Sequence, residues 1–248
     1  MPADEPAAAG GERSDAAEVR RTRREAKACG WLLIAGGLLF TGALLCVGLA
    51  SQDLPTSVSL LEWAGRHRGA LALADEGLAF AVAGYTVALV LLYRRLRQRS
   101  PIASLVGVVV HGVGAVGFVS ATLALGRLVY PVSTVSVSEQ GALLSAAQVF
   151  GGIHFAAIAL GASIVAFGVA LGGRPMIGLS LAVGVLQVAG SYFAGTTPVW
   201  LLATALVSWL LWSMVVGRLV LAGRAGRPAG VRSRLWSGDP EGAARGGG

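Results

Sequence analysis

The chain has 248 residues, 54% of them hydrophobic and only 13% charged, with a formal net charge of +7 and a mean hydropathy of +0.68. Soluble domains carry about 25% charged residues. Half that level leaves too little polar surface to cover a water-soluble globule, so most of the exterior must meet lipid. The basic residues crowd into the two ends and one internal loop, which argues against a nucleic-acid surface and for the cytoplasmic side of a membrane protein.

In chain order, residues 1–29 form a charged, Ala-rich tail expected to be disordered at its start, with Glu12–Lys27 able to continue helically into the first span. A cleavable signal peptide is the rival reading, because Gly48-Leu49-Ala50 resembles a cleavage site. The polar leader is too long, and the apolar run exceeds the ~7–15 residues of a signal h-region, so the first segment is expected to be retained. Crossing ~30 Å of hydrocarbon takes about 20 apolar residues. Six segments meet this: Trp31–Ala50, Leu71–Tyr93, Ile102–Tyr130, Ala142–Leu171, Met176–Phe193 and Val199–Leu221. The third and fourth are long, and the fifth is short, with Pro175 giving it a sharp start. The runs are continuous and do not alternate as barrel strands do. The expected fold is therefore an all-α polytopic bundle of six spans over residues 30–221, followed by a disordered basic tail, 222–248. No internal repeat is visible, which disfavours an inverted-repeat transporter.

Between the first two spans, Ser51–Gly69 is expected to hold a short interfacial helix. Ser59 and Glu62 have capping-box spacing. Leu54, Val58, Leu61 and Trp63 would lie on the membrane, with Arg66, His67 and Arg68 toward headgroups or water. The loop Pro131–Gln140 is short and rich in Ser and Val.

Orientation follows from arginine placement. Arg13, Arg20, Arg21, Arg23, Arg24 and Lys27 precede the first span. Arg94, Arg95, Arg97 and Arg99 follow the second, Arg174 follows the fourth, and Arg218, Arg224, Arg227, Arg232, Arg234 and Arg245 close the chain. Only Arg66, Arg68 and Arg127 fall on the other side, so seventeen of the 20 basic residues share one face. The positive-inside rule then puts both termini in the cytoplasm of a multi-pass cell-membrane protein. Trp31 and Tyr93 fall at the inner interface, Tyr130 and Trp200 at the outer one. Lys27 is the single lysine; with abundant Ala, Gly and Arg, this is the usage expected of a high-GC bacterial genome. The expected partners are the bilayer itself, anionic lipid at the basic tails, and a membrane-protein partner or a second copy.

Polar groups inside spans are functional candidates by default. Asp75, Glu76, Arg127, Gln148, His154, Gln187, Ser191 and Tyr192 fall in the outer half of their spans. They are candidate ligand-binding residues of an outward-facing polar cavity, with Asp75 or Glu76 pairing with Arg127. The competing reading makes Asp75, Glu76 and Arg127 flanking charges that snorkel into the headgroups. Ala147, His154, Gly161, Gly168 and Gly172 form one helical stripe, with a GxxxG pair at its end. Gly161, Gly168 and Gly172 are thus candidates for helix packing. Ser180, Gly184, Gln187 and Ser191 form a matching stripe, and a His154–Gln187 contact is expected between the two. Ala103, Gly107, His111 and Gly114 form a third.

His111 and His154 together raise haem ligation as an alternative, although their depths differ; hydrogen-bonded packing histidines are the simpler reading. Cys29 and Cys46 stand at opposite ends of the first span, ~25 Å apart as helix and too far for a disulfide. The sequence holds no phosphate-binding loop, metalloprotease motif, haem-attachment motif or nucleophile elbow. No catalytic residue, metal or cofactor is expected.

Four features, Ala74-Asp75 opening the second span, Leu92–Leu96 (Leu-Tyr-Arg-Arg-Leu) ending it, His154 early in the fourth, and Arg174-Pro175 with Gly178 opening the fifth, resemble a bacterial six-span integral membrane family known only as a domain of unknown function. The likeness covers residues 31–221, and the family's aromatic-rich start to the fourth span is partly present as Phe150 and Phe155. It implies a six-span fold and no activity. Three functional readings remain open: a protein handling a small solute or ion through outer-half polar groups, a non-catalytic subunit or scaffold binding through its glycine stripes, and a membrane-embedded redox protein.

Overall fold

The computed structural model describes residues 8–54, 59–130, 138–192 and 198–225. Among them every regular element is helical: α1 (Ala8–Gln52), α2 (Leu60–Arg66), α3 (Arg68–Leu96), α4 (Pro101–Val129), α5 (Glu139–Leu171), α6 (Arg174–Gly190) and α7 (Val199–Leu221). Five of these, α1, α3, α4, α5 and α7, are long and apolar enough to cross a membrane. The sixth apolar helix, α6, has 17 residues, ~25 Å of helix rise against ~30 Å of hydrocarbon. The chain is therefore a multi-pass helical membrane protein.

In the N-terminal segment Glu12–Lys27 does continue helically into the first span, and residues 1–7 lie outside the described residues. The helix starts at Ala8 and is continuous with the first apolar segment. Arg21 bonds Glu25 one turn on at 3.2 Å, and Arg94 from the end of α3 reaches the same carboxylate at 3.5 Å. Such pairs supply what an exposed, uncovered helix needs. The C-terminal tail expected to be disordered lies, from residue 226, outside the described residues.

The long helices and α6 form a closed ring in which each packs on its neighbours in chain order and α7 returns to α1. The seams are antiparallel. Along α4 and α5, Gly107 meets Phe167, Gly114 meets Ala159 and Gly117 meets Gly152, so rising numbers face falling ones. The seams close because glycines remove side chains where backbones approach. A Cβ on Gly161 would stand 2.7 Å from the Gly184 carbonyl oxygen, and one on Gly152 2.8 Å from that of Gly117. In lipid no hydrophobic force drives helix pairing, so this close packing supplies the attraction.

The interior of the ring is filled. Phe40, Tyr85, Phe118 and Trp209 are each at most 2% exposed. The Tyr85 ring lies 4.9 Å from Trp209, and Phe40 lies 4.9 Å from Phe118 and edge-on to both Tyr85 and Trp209, geometries that favour aromatic contact. Large apolar side chains such as Phe80, Val116, Leu144 and Val207 point outward and are exposed, as a lipid-facing perimeter requires.

Helix α2 lies across one end of the ring against α3, α4 and α5. Ser59 caps it by accepting from Glu62 N–H at 3.3 Å. The acidic half of the expected capping box comes from elsewhere: Glu139, at the start of α5, accepts from the Leu60 N–H at 3.1 Å and contacts the Ser59 hydroxyl. Trp63 does not lie on the membrane surface. It is buried and donates its indole N–H to the Ala50 carbonyl at 3.0 Å, because a Trp pointing inward fills the corner between α2 and the end of α1. Leu61 is exposed, Leu54 is half-buried, and Val58 lies outside the described residues. His67 is half-buried rather than exposed, with Nε2 3.6 Å from the Asp53 carboxylate. Both cysteines are free.

Candidate functional site

The eight candidate residues fall at three seams of the ring. The first is the α3–α4 corner at the α2 end. Asp75 is 9% exposed, and its Oδ1 is buried with no hydrogen-bond partner. The residue facing it from α4 is Gly126, where a Cβ would stand 3.7 Å from Asp75 Oδ2. Arg127 is one position, or ~100° of helix, further round; it is exposed and makes no ion pair with Asp75 or Glu76. The expected pairing is therefore not formed: α4 turns a glycine toward the carboxylate and its arginine away. Glu76 is exposed and accepts from the Tyr130 hydroxyl at 3.3 Å.

The second group lies at the α5–α6 seam. His154 Nδ1 stands 2.8 Å from Ser191 Oγ. The Ser191 hydroxyl donates its one proton to the Val188 carbonyl at 2.7 Å, so its oxygen accepts from His154 and the imidazole carries its proton on Nδ1. The partner expected from the sequence was Gln187; register explains the difference. Gly161 faces Gly184, so seven residues back on α5 stands His154 and seven on along α6 stands Ser191. Gln187, one turn short, is buried and donates to the Ala205 carbonyl of α7 at 2.7 Å. Tyr192 lies with its ring 4.4 Å from that of His154. Gln187 and Ser191 also line a cavity of about 10 Å³ with Leu44, Ile153 and Leu206, room for about one water molecule.

The third group is on the perimeter: Gln148 is exposed and donates to Ser120 Oγ at 2.9 Å across the α4–α5 seam. The residues expected to line one polar cavity thus divide among a carboxylate corner, a histidine seam and a surface pair.

His111 belongs to none of these. It is 1% exposed, its Nε2 shares a hydrogen bond of 3.0 Å with Thr86 Oγ1, and its Nδ1 is buried without a partner. His111 faces α3, while His154 faces α6. From the contacts of Gly107 and Gly117 with α5, the two imidazoles are offset by about six residues, or ~9 Å of rise. Two axial ligands of one haem must share a depth, and these side chains do not. Among the described residues no three His, Cys, Asp or Glu side chains gather as a metal site.

Of the packing glycines, Gly161 and Gly168 meet Gly184 and Ser180 of α6 within the same chain. Gly172 stands past the last turn of α5 with φ +74°, next to Gly173 at φ +87°. Its role is the left-handed turn into α6, which a side chain would strain, rather than a place in the stripe. Sequence reasoning missed the interior polar links: Tyr85 with Ser213 at 3.0 Å, and the indole N–H of Trp212 donated to Ser180 at 2.8 Å. Each joins residues far apart in the chain, and neither has a local spacing signal.

No protein-family model, curated protein or solved structure matches the chain.

Proposed function

We propose that this is a six-span cell-membrane protein with both termini in the cytoplasm, handling a small ion or solute at its outer end. Three points support the topology. The short helix α6 holds a full place in the ring between α5 and α7. Six antiparallel helices put the chain ends on one side. Among the described residues the same side gathers every lysine and arginine except Arg66, Arg68 and Arg127, as a cytoplasmic face does; the α2 end is then external.

The observation that carries the functional reading is Asp75, an ionisable side chain inside an apolar segment, nine-tenths buried, with a carboxylate oxygen that no group among the described residues satisfies. Such groups are expensive in lipid and persist where they meet a solute or ion. The scaffold reading loses its main support, since the stripe glycines Gly161 and Gly168 are occupied within the chain.

Two measurements test the proposal. A reporter fused after Arg97 is expected to be cytoplasmic, and one inserted in the 131–137 loop external; the reverse pattern removes the topology. Proteoliposomes loaded with pH- and alkali-ion-sensitive dyes are expected to show flux above empty vesicles, reduced in Asp75→Asn. Flux equal to empty vesicles for every ion and for a panel of small solutes overturns the reading.

A further inference from the structure

We infer that Asp75 is a proton-binding site, loaded from the aqueous phase at the α2 end. The inference rests on the reading above for which side that phase lies on, and names the ligand. Three features of the corner lead to it.

The first is the missing partner. Asp75 has 9% of its surface exposed and an Oδ1 that receives no hydrogen bond. Opposite it stands Gly126, which has no side chain to offer.

The second is the missing counter-charge. On α3, Arg68 is exposed and Glu76 adds a second negative group; on α4, Arg127 is exposed and Tyr130 gives its hydroxyl to Glu76. From α2 and its ends, Glu62 and Arg66 are exposed and His67 turns to Asp53. None of these forms an ion pair with Asp75. A buried carboxylate oxygen with no partner is costly, and among the described residues no counter-charge offsets it; a positive charge from the adjoining aqueous phase would.

The third is the donor set. A metal cation of the calcium or magnesium kind requires six or more oxygens, and no group of three metal-ligating side chains exists among the described residues. A proton needs one oxygen. It adds to a carboxylate oxygen from hydronium, releasing water, and leaves to water by the reverse step. The neutral acid then has an O–H to donate, and Gly126 leaves room beside it.

The test is pH-difference infrared spectroscopy on the purified full-length chain in lipid nanodiscs. Wild type is expected to show a protonated-carboxyl C=O band that grows as pH falls, is absent in Asp75→Asn and is retained in Glu76→Gln. Gly126→Ser, which places a hydroxyl beside Oδ2, is expected to move that band to lower wavenumber. A band unchanged in Asp75→Asn, or one abolished by Glu76→Gln, overturns the assignment. So does a midpoint that sodium displaces relative to choline at equal ionic strength, which would make the ligand an alkali cation. The band and the flux assay fail independently: a titrating Asp75 without flux removes the function and keeps the site, while flux without an Asp75 band does the reverse.

Discussion

The α5–α6 seam and the α3–α4 corner both carry polar residues inside apolar helices, and they treat them in opposite ways. At the seam His154 donates to Ser191 and Ser191 to Val188, and the polar residues on the other side of α6 are paired with α7, Gln187 donating to Ala205 and Trp212 to Ser180. At the corner, Asp75 Oδ1 has nothing. In lipid the cost of an unsatisfied polar group is several kcal/mol, so a seam that closes all of these bonds is built for cohesion. A corner that leaves one open is stabilised by something else in the system. The contrast teaches that intramembrane polarity alone does not mark function; a buried carboxylate oxygen without a partner is what separates Asp75 from the paired residues of the seam.

That contrast can be broken most forcefully at the seam. Gly161→Leu drives a side chain into the Gly184 backbone, 2.7 Å from its first carbon. The expected loss is about 3 kcal/mol or more, read as a fall in the melting temperature of the detergent-solubilised protein or as failure to recover it monodisperse. A Leu accepted without change would show that the seam is not closed by backbone contact.

Next in size is Tyr85→Phe. It leaves Ser213 Oγ, buried in the ring, without its 3.0 Å partner, with an expected loss of about 1–2 kcal/mol by thermal unfolding. A neutral result would mean that the ring interior admits water to Ser213.

Ser191→Ala removes the acceptor of His154 and is expected to lose about 1 kcal/mol, the scale of hydrogen bonds between membrane helices. Pairing it with His154→Phe in a double-mutant cycle isolates the link, and a coupling near zero would place His154 outside the seam's cohesion.

The smallest effect sharpens the comparison. Asp75→Asn breaks no bond among the described residues, so unfolding temperature is expected to stay level or rise, opposite in sign to the seam substitutions. A marked fall would reveal an internal partner and return Asp75 to the same class as His154.

Much of the architecture was legible in the chain. Continuous apolar runs implied helices, and the arginine-free stretches between basic clusters marked the spans; Val199–Leu221 coincides with α7 residue for residue. The seven-residue spacing of Gly161 and Gly168 told that a partner helix lies close. Less legible was the depth and partner of each polar side chain. His154 was matched to Gln187 because stripe positions along one helix say which face is shared but not the register, and a shift of one turn exchanges Gln187 for Ser191. Asp75 and Arg127 looked like a pair because both approach the same end of neighbouring helices; a rotation of ~100° per residue decides whether Arg127 or Gly126 meets the carboxylate.

The amino-acid order by itself determined the solvent, the helical class and the small-residue faces, since these follow from local composition and period. The tertiary structure alone decided that the helices close into a ring, that aromatic side chains fill its centre, that Trp63 and Glu139 hold α2 across one end, and that Asp75 Oδ1 has no partner among the described residues. Those outcomes depend on the rotation and axial offset of one helix against another, quantities set by long-range packing that no stretch of contiguous sequence encodes.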